Sequence, residues 1–333
     1  MSRRLIKAAI AAAAHGVGAD RMLARWSAGD RPLILGYHRV VRDVADRDEV
    51  GEGTIPAMLV STGTLERQLD WLGARYSFAT LDEAAEDAVH PVRRAKPLVA
   101  ITFDDGYEDV YRNAFPLLQR KGIPFAVFVV TALVGTRAYQ LHDRIYRLIQ
   151  LRGEADPLAA TRALLTTRSR RQLLRIAAEL ERTTPIPPDA PPPLRAMTWD
   201  MIREMHDAGV TIGSHTRFHP FLTNEPRHTL AAEVLASRQV LERTLGAPVR
   251  HFAYPNGDFD VTVARAVGDA GYAYAYTTCA CRGAVPPALS IPRRLLWERS
   301  GAGASGDFYP PAFACETAGL FDFASGCRRD HTA

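Results

Sequence analysis

Two adjacent carboxylates, Asp104 and Asp105, stand at the end of the apolar, β-prone run 99–103 and directly before a glycine. In a parallel α/β sheet, strands of this kind deliver side chains to their C-terminal edge, where the active sites of such folds lie. Neighbouring carboxylates repel each other, and one explanation is that one binds a cation while the other accepts a proton. Asp-Asp-Gly is also an ordinary turn sequence, so the pair needs a partner site before it indicates chemistry.

The second candidate is the pair His215 and His219, four residues apart just after a predicted strand at 210–213. Two histidines at this spacing face the same way if the loop takes one helical turn, and imidazole nitrogens bind zinc and similar divalent ions. A polar loop with one histidine capping the next helix is the alternative, since the chain holds ten histidines. Combined with one of the two aspartates, the histidines make a three-ligand divalent site with an open position for water. The other carboxylate beside it can accept a proton.

Strands and helices alternate along the chain around these residues. Strands are predicted at 32–37, 78–81, 98–103, 125–130, 210–213, 250–254, 272–278 and 289–291, with helical patterns between most of them. Such alternation implies a parallel sheet with helices outside it, and about seven units favour an α/β fold that is an incomplete or distorted (β/α) barrel. Because parallel strands end on one rim, both candidate sites should lie together there.

The predicted barrel occupies 31–299 and is flanked by two further segments. Residues 1–30 are expected to form an N-terminal helical arm, and 300–333, rich in Gly, Ala, Ser and Pro, an irregular C-terminal tail. Within the barrel, 137–195 shows helical patterns that end in a proline-rich linker. This helical insertion is expected to lie on the main fold, either as a lid beside the site or as a purely structural excursion.

Composition and charge argue against several classes of function. The 333 residues are 47% hydrophobic and 23% charged, with a formal net charge of +4, and the basic residues are scattered, so nucleic-acid binding is not expected. No apolar run reaches the length of a membrane span. The first residues superficially resemble a signal peptide, but Lys7 interrupts the apolar stretch, so a continued helix is expected, with a cleaved signal as the alternative.

Cysteine usage bears on the compartment. All cysteines lie in the last part of the chain, at Cys279, Cys281, Cys315 and Cys327. They fit free thiols in a reducing compartment, with a late disulfide as the alternative. A cytoplasmic or membrane-peripheral location is therefore expected, and export is the alternative.

The motifs resemble, in this order, those of the polysaccharide deacetylases, the NodB-homology carbohydrate esterases. Residues 102–106 are similar to the family's first motif, 215–219 to its second, and 252–257, in a Tyr-Pro-x-Gly form, to its third. The resemblance runs from about residue 32 to residue 295. It implies a metal-dependent hydrolase that removes N-acetyl groups, or less often O-acetyl groups, from a carbohydrate and releases acetate.

The resemblance also implies roles for individual residues. The metal, usually zinc in this family, would be held by Asp105, His215 and His219. Asp104 would be the general base toward metal-activated water, and the backbone N–H of Tyr254 would help to stabilise the tetrahedral oxyanion. Residues within or next to the motifs are candidate substrate contacts, namely Tyr107, Pro255 and Asn256.

The sequence departs from the family pattern in two places. One is the arginine that pairs with the catalytic base, and the other is the position of the general acid. Many members have an arginine where Ala253 stands, paired with the base carboxylate, and Arg293 would supply that charge from the last strand. The usual late Leu-x-x-His motif is absent, but 35–38 has the same pattern at the end of the first strand. The first and last strands of a closed barrel are neighbours, so His38 is predicted as the general acid, with a simple strand-end or core role as the alternative.

This N-terminal Tyr-His arrangement resembles the branch of the family that includes the exopolysaccharide deacetylases of biofilm formation. The expected partner is an N-acetylated polysaccharide, oligosaccharide or glycolipid, and the sequence predicts no oligomeric state. Two other functions stay open. One is a non-catalytic carbohydrate-binding relative that keeps the fold, and the other is a metal hydrolase of a non-sugar amide.

Overall fold

Parallel strands form the framework of the protein. A computed structural model describes residues 9–13, 16, 18, 31–279 and 285–321. The strands in chain order are β1 (Leu33–Tyr37), β2 (Arg39–Val41), β3 (Leu59–Ser61), β4 (Ser77–Phe78), β5 (Leu98–Phe103), β6 (Phe125–Val129), β7 (Thr211–Ser214), β8 (His251–Ala253), β9 (Tyr274–Thr277), β10 (Ile291–Pro292) and β11 (Arg294–Leu295). β2 and β3 pair only with each other, outside the main sheet.

The main sheet closes on itself into a barrel. Its order is β10-β9-β8-β7-β6-β5-β1-β11, with β4 added beside β5, and all of these pairs are parallel. Only Arg293 separates β10 from β11, so one short stretch pairs with β9 through its first half and with β1 through its second. If β10 and β11 are counted as one strand, the barrel has seven strands. The other six are β1, β5, β6, β7, β8 and β9. The predicted distorted (β/α) barrel of about seven parallel strands is therefore confirmed.

The sequences of the central strands β5 and β6 are almost entirely apolar because both faces of these strands are covered. Every residue of β5 and of β6 is buried, as expected for parallel strands with helices on one side and a filled barrel on the other. Phe103 packs edge-on against Phe125, with ring centroids 5.8 Å apart, and tilts against Tyr37 at 5.7 Å. The carboxylates that follow β5 are therefore carried by a strand that is buried along its whole length.

The helices lie between the strands, within the insertion and near the C-terminus. They are α1 (Arg47–Val50), α2 (Thr62–Gly73), α3 (Leu81–Val89), α4 (Phe115–Arg120), α5 (Leu141–Leu151), α6 (Pro157–Leu165), α7 (Arg170–Thr183), α8 (Trp199–Asp207), α9 (Arg227–Leu245), α10 (Val261–Asp269) and α11 (Pro310–Thr317). A single π-helical turn, Val110–Ala114, precedes α4. No helix in the described part of the chain is both long and apolar enough to cross a membrane.

The insertion has a small core of its own. α5 and α7 face each other through Ile145, Leu148 and Leu173, which are all buried. The far side of the insertion is tied to the loop after β7, where the Asn224 amide donates to the carbonyls of Leu165 and Arg168, at 3.1 and 3.2 Å. The insertion therefore lies on the rim of the barrel that carries the ends of β5 and β7.

The prediction of an irregular tail is wrong for residues 310–317, which form α11. The helix starts with two prolines, which are tolerated in a first turn because its N–H groups have no intrahelical acceptors. Phe313 is fully buried and meets Trp71 edge-on, with ring centroids 5.1 Å apart. One aromatic anchor among small residues gives too weak a periodic signal to predict this helix from sequence.

Two other predictions fall largely outside the described residues. Of the predicted arm at 1–30, residues 9–13 are helical, and most of the rest is not described. Cys279 and Cys315 are buried, whereas Cys281 and Cys327 lie outside the described residues.

Candidate active site

Three potential ligand atoms converge on the C-terminal rim of the barrel. Asp105 follows β5, His215 follows β7, and His219 lies one turn further along the same loop. Asp105 Oδ1 is 3.6 Å from Nε2 of His215 and 3.3 Å from Nε2 of His219, and the two Nε2 atoms are 3.2 Å apart. Oδ1 is buried and has no hydrogen-bond partner among the described residues. A buried carboxylate oxygen without a donor indicates that something else balances its charge.

The triangle of atoms fits a divalent metal ion. A tetrahedral centre with bonds of about 2.0–2.2 Å separates its ligand atoms by roughly 3.3–3.6 Å. The three distances, from 3.2 to 3.6 Å, match that spacing. Two imidazole nitrogens with one carboxylate suit zinc or a similar transition metal better than calcium or magnesium, which prefer oxygen ligands. Asp105, His215 and His219 therefore make a possible metal site.

Left-handed backbone conformations bring these side chains together. Asp105, Thr216 and His219 have φ angles of 70°, 68° and 57°. Each such non-glycine residue costs on the order of 1 kcal/mol or more. Thr216 offsets part of that cost, because its hydroxyl accepts the N–H of His219 at 2.8 Å. Residues strained in this way cluster at functional sites, where neighbouring contacts hold them in place.

Contacts behind the ligands orient both histidines. Nδ1 of His215 lies 2.8 Å from the carbonyl oxygen of Ala253, so Nδ1 carries the proton and the lone pair of Nε2 faces the site. The buried carboxylate of Glu233, on α9, accepts the N–H groups of Arg217 and Phe218 at 3.1 and 2.8 Å. Glu233 thereby fixes the loop that separates the two histidines.

Asp104 is held by a buried arginine. Arg293 donates from Nη1 and Nη2 to the two carboxylate oxygens of Asp104, at 2.7 Å each. Nη1 also donates to the Thr102 hydroxyl at 2.9 Å. Burial raises the pKa of Asp104, but the positive charge of Arg293 outweighs it and, with His215, holds the pKa at about 2. Asp104 is therefore ionised at neutral pH, and the structure places Arg293 where the sequence predicts the missing family arginine.

Burial perturbs the pKa values of the predicted ligands in the direction of the neutral forms. It raises the pKa of Asp105 well above its ordinary value, with the charges of Asp104 and Asp143 acting in the same direction. It lowers the pKa of His215 and lowers that of His219 further. Neutral histidines are the form that ligates metals, and a bound cation would favour the ionised form of Asp105.

His38 comes to the same site from the end of β1. Its pKa is lowered to about 4, first by burial and then by the histidines and Arg293, while the charge of Asp104 opposes the shift. The carbonyl oxygen of its neighbour Tyr37 accepts the N–H of Asp104 at 2.8 Å, so the end of β1 that carries His38 lies beside the first motif. Nδ1 is buried and has no hydrogen-bond partner among the described residues. The predicted acid is thus at the site, but it is neutral at pH 7 in this structure.

The prediction for the backbone of Tyr254 is wrong in this structure. Its N–H donates to the carbonyl oxygen of Tyr276 at 3.0 Å, which extends the pairing of β8 with β9 by one residue. That N–H is therefore not available to an oxyanion. The hydroxyl of Tyr254 is also occupied, because it donates to the carbonyl of Leu289 at 2.9 Å.

The three predicted substrate contacts differ in exposure. Pro255 is buried, whereas Asn256 is exposed and its amide donates to Asp258 at 3.0 Å. Tyr107 is fully buried, and its hydroxyl donates to Asp143 at 2.6 Å. The Tyr107 hydroxyl is not available for a direct contact with substrate, because it is buried and already donates its hydrogen bond to Asp143 of α5.

Three polar residues of the insertion reach the site and were missed from the sequence. Gln140 donates to the backbone carbonyl of Asp105, and His142 and Asp143 meet the Tyr107 hydroxyl. All three are nearly completely buried. The only available signal was a His-Asp pair in the first turn of an amphipathic helix, and periodicity alone does not show which surface that turn contacts.

A barrel with paired aspartates and a His-x-x-x-His loop on one rim defines a class of carbohydrate-active hydrolases. A sequence model of the polysaccharide deacetylase family matches residues 92–275. The chain therefore belongs to the polysaccharide deacetylase family, and the resemblance predicted from its motifs is confirmed.

Named relatives agree with this assignment. The poly-beta-1,6-N-acetyl-D-glucosamine N-deacetylase of Staphylococcus epidermidis is 33% identical over 112 residues, which are 31% of this chain and 37% of that protein. The matched segments span between 31% and 40% of the length of the curated relatives. The barrel is similar to IcaB from Ammonifex degensii, with a TM-score of 0.58, 22% identity, and coverage of 87% of this chain and 98% of the other. It is also similar to the Streptococcus pyogenes deacetylase PplD, with a TM-score of 0.57, 19% identity, and coverage of 86% and 98%.

Proposed function

We propose that this protein is a metal-dependent deacetylase that hydrolyses N-acetyl groups on a carbohydrate. The observation that carries the proposal is the convergence of Asp105 Oδ1 with the Nε2 atoms of His215 and His219, next to the ion pair of Asp104 and Arg293. Membership of the polysaccharide deacetylase family supports the substrate class. Zinc is the proposed metal because two of the three ligands are imidazoles.

Each residue has a distinct task in the proposed reaction. A divalent ion held by Asp105, His215 and His219 would supply Lewis-acid chemistry, lowering the pKa of water and polarising the acetyl carbonyl. Asp104 stays ionised and accepts a proton from the attacking water, and Arg293 keeps both of its oxygens in one orientation. The water oxygen bonds to the acetyl carbon, the C–N bond breaks, and the products are acetate and an amine.

His38 is the proposed donor of the proton that the leaving nitrogen accepts. With a pKa of about 4 it is neutral at pH 7, so it must gain a proton before it can give one. The charge of Asp104 already opposes the lowering of this pKa. Additional negative charge on the reacting acetyl group would act in the same direction as Asp104 and raise the pKa of His38. His38 then takes up a proton from solvent and passes it to the leaving nitrogen.

The proposed substrate is a polysaccharide, oligosaccharide or glycolipid that bears N-acetyl groups. The name of the Staphylococcus epidermidis relative supports an N-acetylglucosamine polymer as the first substrate to test. The proposed setting is the synthesis of a surface polysaccharide or glycolipid, at a cytoplasmic or membrane-peripheral location.

The test combines bound metal with acetate release. Purified protein is loaded with Zn²⁺, freed of excess metal, and assayed on N-acetylglucosamine oligomers. Asp104→Asn should bind metal and lose turnover, whereas His219→Ala should lose both. His206→Ala is the matched control, because His206 lies in the last turn of α8 at the opposite end of the barrel. Full activity of His219→Ala after removal of free metal would refute the proposal.

A further inference from the structure

The loop that follows β5 and carries Asp105 is hydrogen-bonded to both ends of the insertion. At the entry to the insertion, the Gln140 amide donates to the backbone carbonyl of Asp105 at 3.1 Å. At the exit, the N–H of Met197 donates to the carbonyl of Gly106 at 2.9 Å. The N–H of Glu108 donates to the carbonyl of Arg195 at the same distance. The strained peptide at Asp105 is thus held on both sides by the same inserted segment.

Buried polar groups of the insertion also hold Tyr107, two residues after Asp105. The Tyr107 hydroxyl donates to Asp143 Oδ2 at 2.6 Å and lies 2.9 Å from Nε2 of His142. A hydroxyl has one proton, so when it is given to Asp143 the hydroxyl oxygen must accept the N–H of His142. Nε2 of His142 therefore carries a proton, and it lies 3.9 Å from Asp105 Oδ2.

The two oxygens of Asp105 face different surroundings. Oδ1 points at the Nε2 atoms of His215 and His219, whereas Oδ2 lies 3.9 Å from Nε2 of His142, which is beyond hydrogen-bond distance. Because the Nε2–H of His142 is donated to the Tyr107 hydroxyl, His142 acts on Asp105 indirectly, by fixing the loop that carries both Asp105 and Tyr107. Residues behind metal ligands commonly act in this way.

The start of α5 is polar although it is buried, which supports a role in holding the Asp105 loop. Later in the helix, Ile145 and Leu148 form the insertion's own apolar core. A helix that only filled space would continue that pattern, yet His142 and Asp143 are buried there. Asp143 Oδ1 and Gln140 Oε1 are buried without a hydrogen-bond partner among the described residues. Burying such groups is costly, which argues that this turn serves more than packing.

We infer that the insertion is part of the metal centre, and that His142 is a positioning residue which holds the Tyr107 hydroxyl through its Nε2–H and so fixes the loop that carries Asp105. The hydroxyl of Tyr107, which donates to Asp143, fixes the tautomer and the orientation of the His142 imidazole. This inference rests on the metal site of the proposed function. It assigns a role to the insertion that neither a simple lid nor a structural excursion would have.

The test measures metal affinity rather than turnover. Zn²⁺ affinity is determined by competition with a chromophoric chelator for the full chain and for His142→Ala, His142→Gln and Tyr107→Phe. We expect His142→Ala and Tyr107→Phe to weaken Zn²⁺ binding by about 10–100-fold, the usual effect of losing a group behind a ligand. His142→Gln should recover part of the loss, because its amide can present an N–H. Glu181→Gln is the matched control, since it alters an ion pair with Arg144 within the insertion.

Two further readouts separate positioning from other roles. The melting temperature of each metal-free variant reports on folding, and unchanged affinity in a variant that melts earlier would assign a structural role and overturn the inference. The absorption spectrum of the Co²⁺-loaded protein reports on ligation, and a changed band pattern at saturation in His142→Ala would make His142 a direct ligand and also overturn it. If the unmutated chain binds no metal, the proposed function itself fails. If it binds metal and all variants bind equally well, only this inference fails.

Discussion

Arg293 holds Asp104 by two hydrogen bonds of 2.7 Å, one to each carboxylate oxygen, although the two residues are 189 positions apart in the chain. Arg293 is the single residue between β10 and β11, at the point where the last strand crosses from β9 to β1. Its backbone N–H donates to the carbonyl of Thr277 at 2.6 Å. Closure of the barrel and the charge state of the proposed base therefore depend on the same residue.

Replacing Arg293 by methionine should damage both stability and activity. The carboxylate of Asp104 would be left buried without its partner, which costs about 3–5 kcal/mol when one member of a buried pair is removed. The pKa of Asp104 should rise, because burial would no longer be opposed by the guanidinium. We expect acetate release to fall by about 100-fold or more. Urea unfolding and the acetate assay measure the two effects.

A double variant distinguishes the lost charge pair from lost packing. In Arg293→Met with Asp104→Asn, no buried charge is left unpaired, so most of the lost stability should return while activity stays low. Arg182→Met, at an exposed position on α7, controls for the substitution itself. Equal stability of Arg293→Met and the unmutated protein would show that the pair is not buried in solution as it is in the structure.

Gly36 in β1 leaves space for the Leu295 side chain of the neighbouring strand β11, two residues after Arg293. A Cβ at this position would lie 2.5 Å from Leu295 Cδ2 and 3.7 Å from Arg293 Nη1. Gly36→Ala should therefore push β11 away from β1 and destabilise the protein by about 1–3 kcal/mol, the usual cost of overpacking. The acetate assay should show reduced turnover as well, because Arg293 would shift from Asp104.

Gly63→Ala is the matched control for that substitution. Gly63 lies in the first turn of α2, and the nearest atom to an added Cβ is the end of the Arg67 side chain, at 3.7 Å. Alanine is favoured over glycine in helices, so this variant should be equally stable or more stable by up to about 1 kcal/mol. If Gly36→Ala and Gly63→Ala unfold at the same urea concentration, the close approach at β1 is not a constraint.

Much of the fold and part of the site could be predicted from local sequence. The buried runs before Asp105 and His215 identify parallel strands, and parallel strands end on one rim, which is enough to bring the two motifs together. The role of Arg293 beside Asp104 could be proposed because the last strand of a barrel must neighbour the first. These predictions need only topology, and topology follows from the alternation of strands and helices.

The rest depends on contacts that local patterns do not encode. The N–H of Tyr254 is taken by Tyr276 because the pairing of β8 with β9 continues one residue past Ala253, and a register of that kind is not visible in one strand alone. The contacts of His142 with Tyr107 require the insertion to fold back onto the rim. The helix around Phe313 forms because that ring finds a place against Trp71, far away in the sequence.

Glu233 should control metal affinity from behind the histidine loop. Its carboxylate accepts the N–H groups of Arg217 and Phe218, so Glu233→Ala leaves two donors without an acceptor and lets the loop move. We expect weaker Zn²⁺ binding, by about 10-fold or more, and a loss of about 1–3 kcal/mol in stability. Glu233→Gln keeps an acceptor oxygen and should retain most of both. Equal chelator competition by the alanine variant and the unmutated protein would contradict this role.

His38→Gln should change how the stability of the metal-free protein depends on pH. Burial lowers the pKa of His38 from 6.5 to about 4 in the folded protein. Between these pH values the unfolded chain binds a proton at His38 that the folded protein does not, so protonation favours unfolding. The stability of the unmutated protein should fall as the pH drops from 6.5 to 4, with His38 contributing up to roughly 1.4 kcal/mol per pH unit.

Glutamine takes up no proton, so the stability difference between His38→Gln and the unmutated protein should move in favour of the variant as the pH falls through this range. His215 and His219 also have lowered pKa values, but they remain in both proteins and their effects largely cancel in the difference. Urea unfolding across the pH range measures it, with the exposed His90→Gln as the control. Parallel pH profiles for the two proteins would mean that His38 is not buried among these charges. Its assignment as the acid next to Asp104 would then lose its structural basis.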